Sequence, residues 1–364
     1  MATLHCISGV GDKAAACFVV EGDDGRRVMF DLGAGPAKGQ RPPVDDVGPV
    51  EAIVLSHQHP DHKGGLDIAH KVGDPPVYGT PPALEGLRRA LPAHPLPWHG
   101  GTTIGGLPVT VGRAGHSPGG VWLHVDVGGG LLYMGDDDPY SPLYHVDPPP
   151  AAETIIVDVS YGADDEPRDT QIAAFDPWFD AAERDGLLIP TPVHGRGPEI
   201  ALHLMEKGYP APRLDADHLT LIDRLLTDWH PAVRPHRLSA LRRLREQARA
   251  PGPVEGVTLA GTANADGGTS GDLVAQYRDS DRPAILMTGY IPSGTVPDTL
   301  LKEGRAHWLR WPVHRMLSDN AALVRQAGAM RVIPAFGVAD ATALAAWERT
   351  FAPAGVVLDN VLTL

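Results

Sequence analysis

The chain has 364 residues, 43% apolar and 21% charged, which is enough ordinary globular composition to bury a real core. Its 42 glycines and 36 prolines favour many short elements over a helix bundle. A formal net charge of −14 counts against a protein held to nucleic acid by a basic surface, although bound metal ions would supply local positive charge.

The first third reads as short strands and tight turns. Ala16-Cys17-Phe18-Val19-Val20 and Arg27-Val28-Met29-Phe30 suit paired strands around the polar turn 22–25, and Glu51 to Leu55 suits a short apolar strand. Helices are expected at 64–72 and 82–91. A hairpin follows, with 121–127 and 131–134 flanking three glycines, and then a buried strand at 154–157. From about residue 168 longer helical patterns alternate with strands. The helices are expected at 169–184, 198–208, 219–229, 237–249 and 317–328, and the strands at 187–190, 256–260, 284–289 and 331–335. Such alternation predicts parallel sheet layered with helices. Residues 261–271 read as a flexible, glycine-rich turn.

Only Cys6 and Cys17 are present, both in apolar surroundings, so buried free thiols are expected. No basic leader and no apolar run of about 18 residues is found. The expectation is a soluble, reduced, cytoplasmic protein with no membrane partner.

The strongest signal is Ser56-His57-Gln58-His59-Pro60-Asp61-His62-Lys63-Gly64-Gly65. Three imidazoles and a carboxylate follow an apolar strand directly. Alternation along the strand places His57 and His59 on one side, and the turn at Pro60 brings Asp61 and His62 round. That arrangement can serve two adjacent metals, one on His57 and His59 and the other on Asp61 and His62. Imidazole and carboxylate suit zinc, with iron or manganese as alternatives.

The run resembles the His-x-His-x-Asp-His signature of the metallo-β-lactamase superfamily. Gly115-His116-Ser117-Pro118-Gly119-Gly120 resembles the loop giving a third histidine to the first metal, and Tyr133-Met134-Gly135-Asp136 the strand end whose carboxylate bridges both. Asp31-Leu32-Gly33 sits where the family has an Asp-x-Gly turn beside its site. Beyond Asp136 the resemblance narrows to the beta-CASP branch, which includes ribonuclease J and the endonuclease of pre-mRNA 3′-end processing. It rests there on Asp158-Val159-Ser160-Tyr161-Gly162, on Leu188-Ile189-Pro190 with Gly195-Arg196-Gly197-Pro198-Glu199, on Ile285 to Tyr290 with Gly294-Thr295, and on Pro312-Val313-His314.

The resemblance implies an α/β fold, a βα/αβ sandwich with an inserted beta-CASP-like α/β cap. Residues 1–162 and 306–364 would form the sandwich and 163–305 the cap, with the site in the cleft between them. It implies metal ligands His57, His59, Asp61, His62, His116 and Asp136, and catalytic roles for Asp61, Asp158 and His314. A metal-activated hydroxide would attack, Asp61 would orient it, and His314 paired with Asp158 would protonate the leaving oxygen. Weaker substrate-binding candidates are His194, Arg196, Ser117 and Tyr290.

Two features depart from the branch. Phe336, in Ile333-Pro334-Ala335-Phe336-Gly337, stands where the branch has its last metal-binding histidine, so the second metal would be held more weakly. No further nucleic-acid-binding domain is expected after the sandwich. The first expectation is a phosphodiesterase acting on RNA or single-stranded DNA. The alternative is a hydrolase of a small ester, lactone, amide or phosphodiester, and a non-catalytic scaffold is the third reading. The one protein partner open to the chain on this reading is a second copy of itself, in a homodimer. The arginines from Arg234 to Arg249 could track a nucleic-acid backbone, but Leu238, Leu241 and Leu244 make them the solvated side of an amphipathic helix.

Overall fold

A computed structural model describes residues 1–87, 91–252 and 255–364. Chain contacts divide it into two compact units, one of residues 1–141, 145–165 and 314–364, the other of 142–144 and 166–313.

The first unit is built on two seven-stranded sheets. One runs Val361–Thr363, Thr3–Ser8, Cys17–Glu21, Arg27–Phe30, Ala52–Val54, Val77–Gly79, Ala93–Pro95. The other runs Gly355–Val356, Arg331–Ala335, Thr154–Asp158, Leu131–Tyr133, Val121–Val125, Leu107–Arg113, Gly100–Ile104. Strand alternation explains the layering. Phe18, Val20, Val28, Phe30 and Val54 share one core cluster with Val109, Leu123, Val125, Tyr133 and Ile156 of the other sheet. Their neighbours Cys17, Val19, Met29, Ile53 and Leu55 face the opposite way, onto Leu66, Ala69 and Val72. On the far side of the second sheet, Ile155 and Val157 pack with helices Leu317–Ala327 and Ala341–Phe351. The result is a βα/αβ sandwich, as expected.

The second unit has one five-stranded sheet in the order Arg213–Leu214, Val257–Ala260, Leu187–Pro190, Ala284–Met287, His307–Trp308, with every pair parallel. Helices connect the strands, which is what parallel pairing requires. Helix Leu238–Gln247 buries Ala240, Leu241 and Leu244 and leaves Arg242 and Arg243 exposed.

Several expected elements are corrected. The helix at 169–184 is two, Arg168–Ala173 and Asp176–Asp185, because Pro177 belongs in a first turn and starts a new helix there. Residues 64–72 form a 3₁₀ segment, Leu66–Val72, rather than an α-helix. The helix expected at 82–91 ends early, as Pro81–Leu84, with Gly86 at φ +68°; residues 88–90 of that span lie outside the described residues. The supposed flexible turn 261–271 holds the start of helix Gly268–Tyr277. Among the described residues no helix is long and apolar enough to cross a membrane. Cys6 and Cys17 are free and buried, and burial pushes the Cys6 thiol up to about 12.

Candidate metal centre

Strand Ala52–Val54 delivers the chain to Ser56 and His57, and His59 begins the short helix Pro60–Lys63 with Pro60 at its first turn. That helix presents Asp61 and His62. Its close seat on the 31–33 turn explains Gly33, where a Cβ would lie 1.7 Å from the Asp61 carbonyl oxygen. The 115–120 loop after strand Leu107–Arg113 brings His116, and the turn after Leu131–Tyr133 brings Asp136.

Four side chains converge first. His57 Nε2 and His116 Nε2 lie 3.0 and 3.1 Å from His59 Nδ1, and Asp136 Oδ2 is 3.8 Å from His57 and 3.5 Å from His116. A tetrahedral metal with bonds of about 2.0–2.1 Å separates its ligand atoms by roughly 3.3–3.4 Å, the middle of this range. Asp61, His62 and Asp136 form a second group whose ligand atoms lie within 4.8 Å of one another. Asp136 therefore belongs to both. Its Oδ1 and His62 Nε2 are buried, face each other at 3.2 Å and make no hydrogen bond of proper geometry. Buried polar atoms left in that state are expected at a cation site. The residues fit a pair of divalent metals.

The surroundings aim these ligands. Asp31, fully buried, accepts from Ser56 N (2.7 Å), Ser56 Oγ (2.7 Å), Tyr133 Oη (2.5 Å) and His62 Nδ1 (2.7 Å). Ser56 Oγ also lies 3.1 Å from His57 Nδ1. Both rings thus have one nitrogen fixed by the protein and the other turned to the centre. Burial, then the neighbouring imidazoles, holds His57 well below its ordinary pKa, which keeps it a neutral ligand. At His62 burial opposes protonation, but Asp136 and Asp31 outweigh it and raise the pKa well above the ordinary value. Phe336 is buried at φ +66°, and its ring meets the His62 ring edge-on at 5.0 Å.

A third group adjoins these two. His314 Nδ1 is 2.5 Å from Asp158 Oδ2 and 3.9 Å from Asp136 Oδ2. Burial works against the charge on His314, but Asp158 and then Asp136 outweigh it and raise its pKa. Asp158 is further held by Ser160 N, and Lys13 Nζ donates to Ser160 Oγ at 3.1 Å. Asp137 next door is pushed up to about 7 by burial, against the pull of Arg315, which donates to it at 2.5 Å.

The first unit thus brings together His57, His59, Asp61, His62, His116, Asp136, Asp158 and His314, with Ser117 buried in the same loop as His116. His194, Arg196 and Tyr290 belong to the second unit. Arg196 there donates to the Thr288 carbonyl at 2.7 Å, so its guanidinium is committed at least in part to the fold. Sequence reasoning placed the 31–33 turn beside the site but missed Asp31 as its organising carboxylate. Tyr133, Lys13 and the Asp137–Arg315 pair were missed outright, since contacts across 102 to 178 residues leave no local pattern.

Residues 26–194 match the family described as a beta-lactamase superfamily domain. Ribonuclease TTHA0252 of Thermus thermophilus is 28% identical over 360 residues, covering 82% of this chain and 80% of that protein. Transcription termination factor FttA of Cenarchaeum symbiosum is 27% identical over 57% of this chain and 40% of its own length, and Ribonuclease J 1 of Streptococcus pyogenes 33% over 23% and 17%. A crystal structure of a protein of unknown function from Enterococcus faecalis shares the fold, with a TM-score of 0.58 and 14% identity over 93% of this chain and 94% of that one. Residues 26–194 thus form a beta-lactamase superfamily domain, and the chain is homologous to these metal-dependent nucleases. The ribonuclease relatives are beta-CASP nucleases of the metallo-β-lactamase superfamily, the branch that the later motifs of this chain resemble.

Proposed function

We propose that the protein is a metal-dependent phosphodiesterase that cleaves RNA or single-stranded DNA. The observation that carries this is the convergence of both ligand groups on Asp136, with the Asp158–His314 pair beside them. The names of the ribonuclease relatives support the substrate class. His57, His59, His116 and Asp136 would hold the first metal, and Asp61, His62 and Asp136 the second. Zinc suits the imidazole-rich first set best. Divalent cations here supply Lewis acidity, making water more acidic and offsetting charge on a phosphate.

The chain's own groups do the rest. Asp61, only half-buried, orients the attacking nucleophile. Asp158 fixes His314 through Nδ1, so the proton on Nε2 is available to the departing oxygen. The first unit acts as the catalytic domain and the second as its inserted cap. The buried free cysteines favour a reducing compartment, so we assign the cytoplasm.

The test is hydrolysis of single-stranded oligonucleotides by purified protein beside His59→Ala and Asp136→Ala. Each variant is expected to lose turnover and bound metal while keeping its circular dichroism spectrum. Wild-type turnover by either variant would sink the assignment. Turnover of simple esters with none of oligonucleotides would move the reading to a small-molecule hydrolase, which the net charge of −14 would then explain.

A further inference from the structure

The second unit's sheet ends in the two-residue edge strand His307–Trp308, paired parallel with Ala284–Met287 so that Trp308 is level with Met287. Trp308 is 45% exposed, and Tyr290, just past the neighbouring strand, is 55% exposed. An aromatic on an open sheet edge invites wrong pairing. The ring is nonetheless held in one place. Its Nε1 donates to the Gly289 carbonyl oxygen at 2.8 Å, which satisfies its polar edge. The Arg310 guanidinium lies 5.7 Å from the ring centroid. All three residues lie at the carboxyl ends of parallel strands, the side on which open α/β sheets receive ligands.

We propose that Trp308 is a stacking site for an unpaired nucleobase of the substrate strand, with Arg310 and Tyr290 flanking it. The inference rests on the nuclease reading and names a contact for its substrate. A fixed indole offers a large flat face with little rotamer freedom to lose. A guanidinium beside it both stacks on bases and pairs with a strand phosphate. In a chain of net charge −14 such a local cation is what a nucleic acid would need for approach. Stacking accepts any base, because every base has a π-face. The site therefore confers single-strand preference rather than sequence preference.

The test compares the metal-loaded enzyme with Trp308→Ala and Trp308→Phe on two probes, a 12-residue single-stranded oligoadenylate and an abasic oligomer of the same length. Trp308→Ala is expected to raise KM for the oligoadenylate about tenfold, the effect of losing one base–aromatic stack. Its kcat should stay within about twofold of wild type, and its KM for the abasic oligomer should not move. Trp308→Phe, which keeps a ring, should recover most of the loss. An unchanged KM for the oligoadenylate overturns the proposal, and so does an equal rise on both oligomers. A drop in kcat on both oligomers would mark a folding defect in place of a lost contact and would also overturn it. Wild-type enzyme that cleaves neither oligomer would defeat the nuclease reading itself, and this site with it.

Discussion

At His314 the imidazole is held by one nitrogen and offered by the other. Asp158 takes Nδ1 at 2.5 Å, and the raised proton affinity keeps the ring charged where an ordinary histidine would be losing its proton. A group placed to give up a proton in the transition state should affect rate far more than binding. His314→Ala is expected to lower kcat by roughly 10²–10⁴-fold with a small change in KM. The loss should shrink for a substrate with a p-nitrophenolate leaving group, which departs without a proton. Equal losses on good and poor leaving groups would mark a structural histidine. Phe336 poses the opposite question, since it can ligate nothing. Among the described residues, a second metal would have Asp61, His62 and a share of Asp136. Two metals of unequal affinity are therefore expected, the second leaving first on stepwise chelation followed by mass spectrometry. Phe336→His should tighten it. The residue already sits at φ +66°, a conformation in which histidine is commoner than other bulky side chains, and its ring already touches His62. Replacing it costs some packing against Phe18. Loss of both metals at one chelator concentration would show that the second site is already complete.

Some elements were legible because their encoding is local. Strand Leu187–Pro190 and strand Arg331–Ala335 appear at their expected bounds, because four or five apolar residues between turn signals leave little choice. The metal run was legible because its four ligands fall within six residues, on one strand end and one helical turn. Hairpin strands Gly100–Ile104 and Leu107–Arg113 were missed, although Leu107, Val109 and Val111 alternate with exposed Pro108 and Thr110 in the second. Helix Ala341–Phe351 was missed too, although Asp340 caps it by accepting from Thr342 and Ala343. The arginine-rich helix Leu238–Gln247 shows how a charge run can mislead. Arg245 pairs with Asp223 and Arg237 with Glu206, so part of its basic side is spent within the fold. Its contribution should come from the buried face instead. Leu241→Ala, at a fully buried position, is expected to cost about 2–5 kcal/mol in chemical denaturation. Arg242→Gln with Arg243→Gln should leave both stability and oligonucleotide turnover within about twofold, as surface changes away from special features do. A large loss of turnover in the double variant would restore that helix as a nucleic-acid track.

At the scale of the whole molecule, charge and proposed function pull against each other. A net charge of −14 repels a polyanion at long range, so affinity cannot come from a basic surface spread over many phosphates. On the function proposed above it would come from a few local contacts, namely the metals, a guanidinium such as Arg310, and stacking on an exposed ring such as Trp308. Those two modes of binding respond differently to salt. A protein neutralising six to ten phosphates loses roughly 10³–10⁵ in affinity between 50 and 200 mM salt, because each contact releases counterions. With few phosphate contacts, and with salt screening the overall repulsion as it weakens the local attraction, the dependence should be shallow. We expect kcat/KM for a single-stranded oligonucleotide to fall by less than about tenfold over that range. Steady-state kinetics at four or five potassium chloride concentrations, with metal held constant, would measure it. A fall of a thousandfold would mean that the strand runs along a basic track, and the arginines at 234, 237, 242 and 243 would be the first place to look for it.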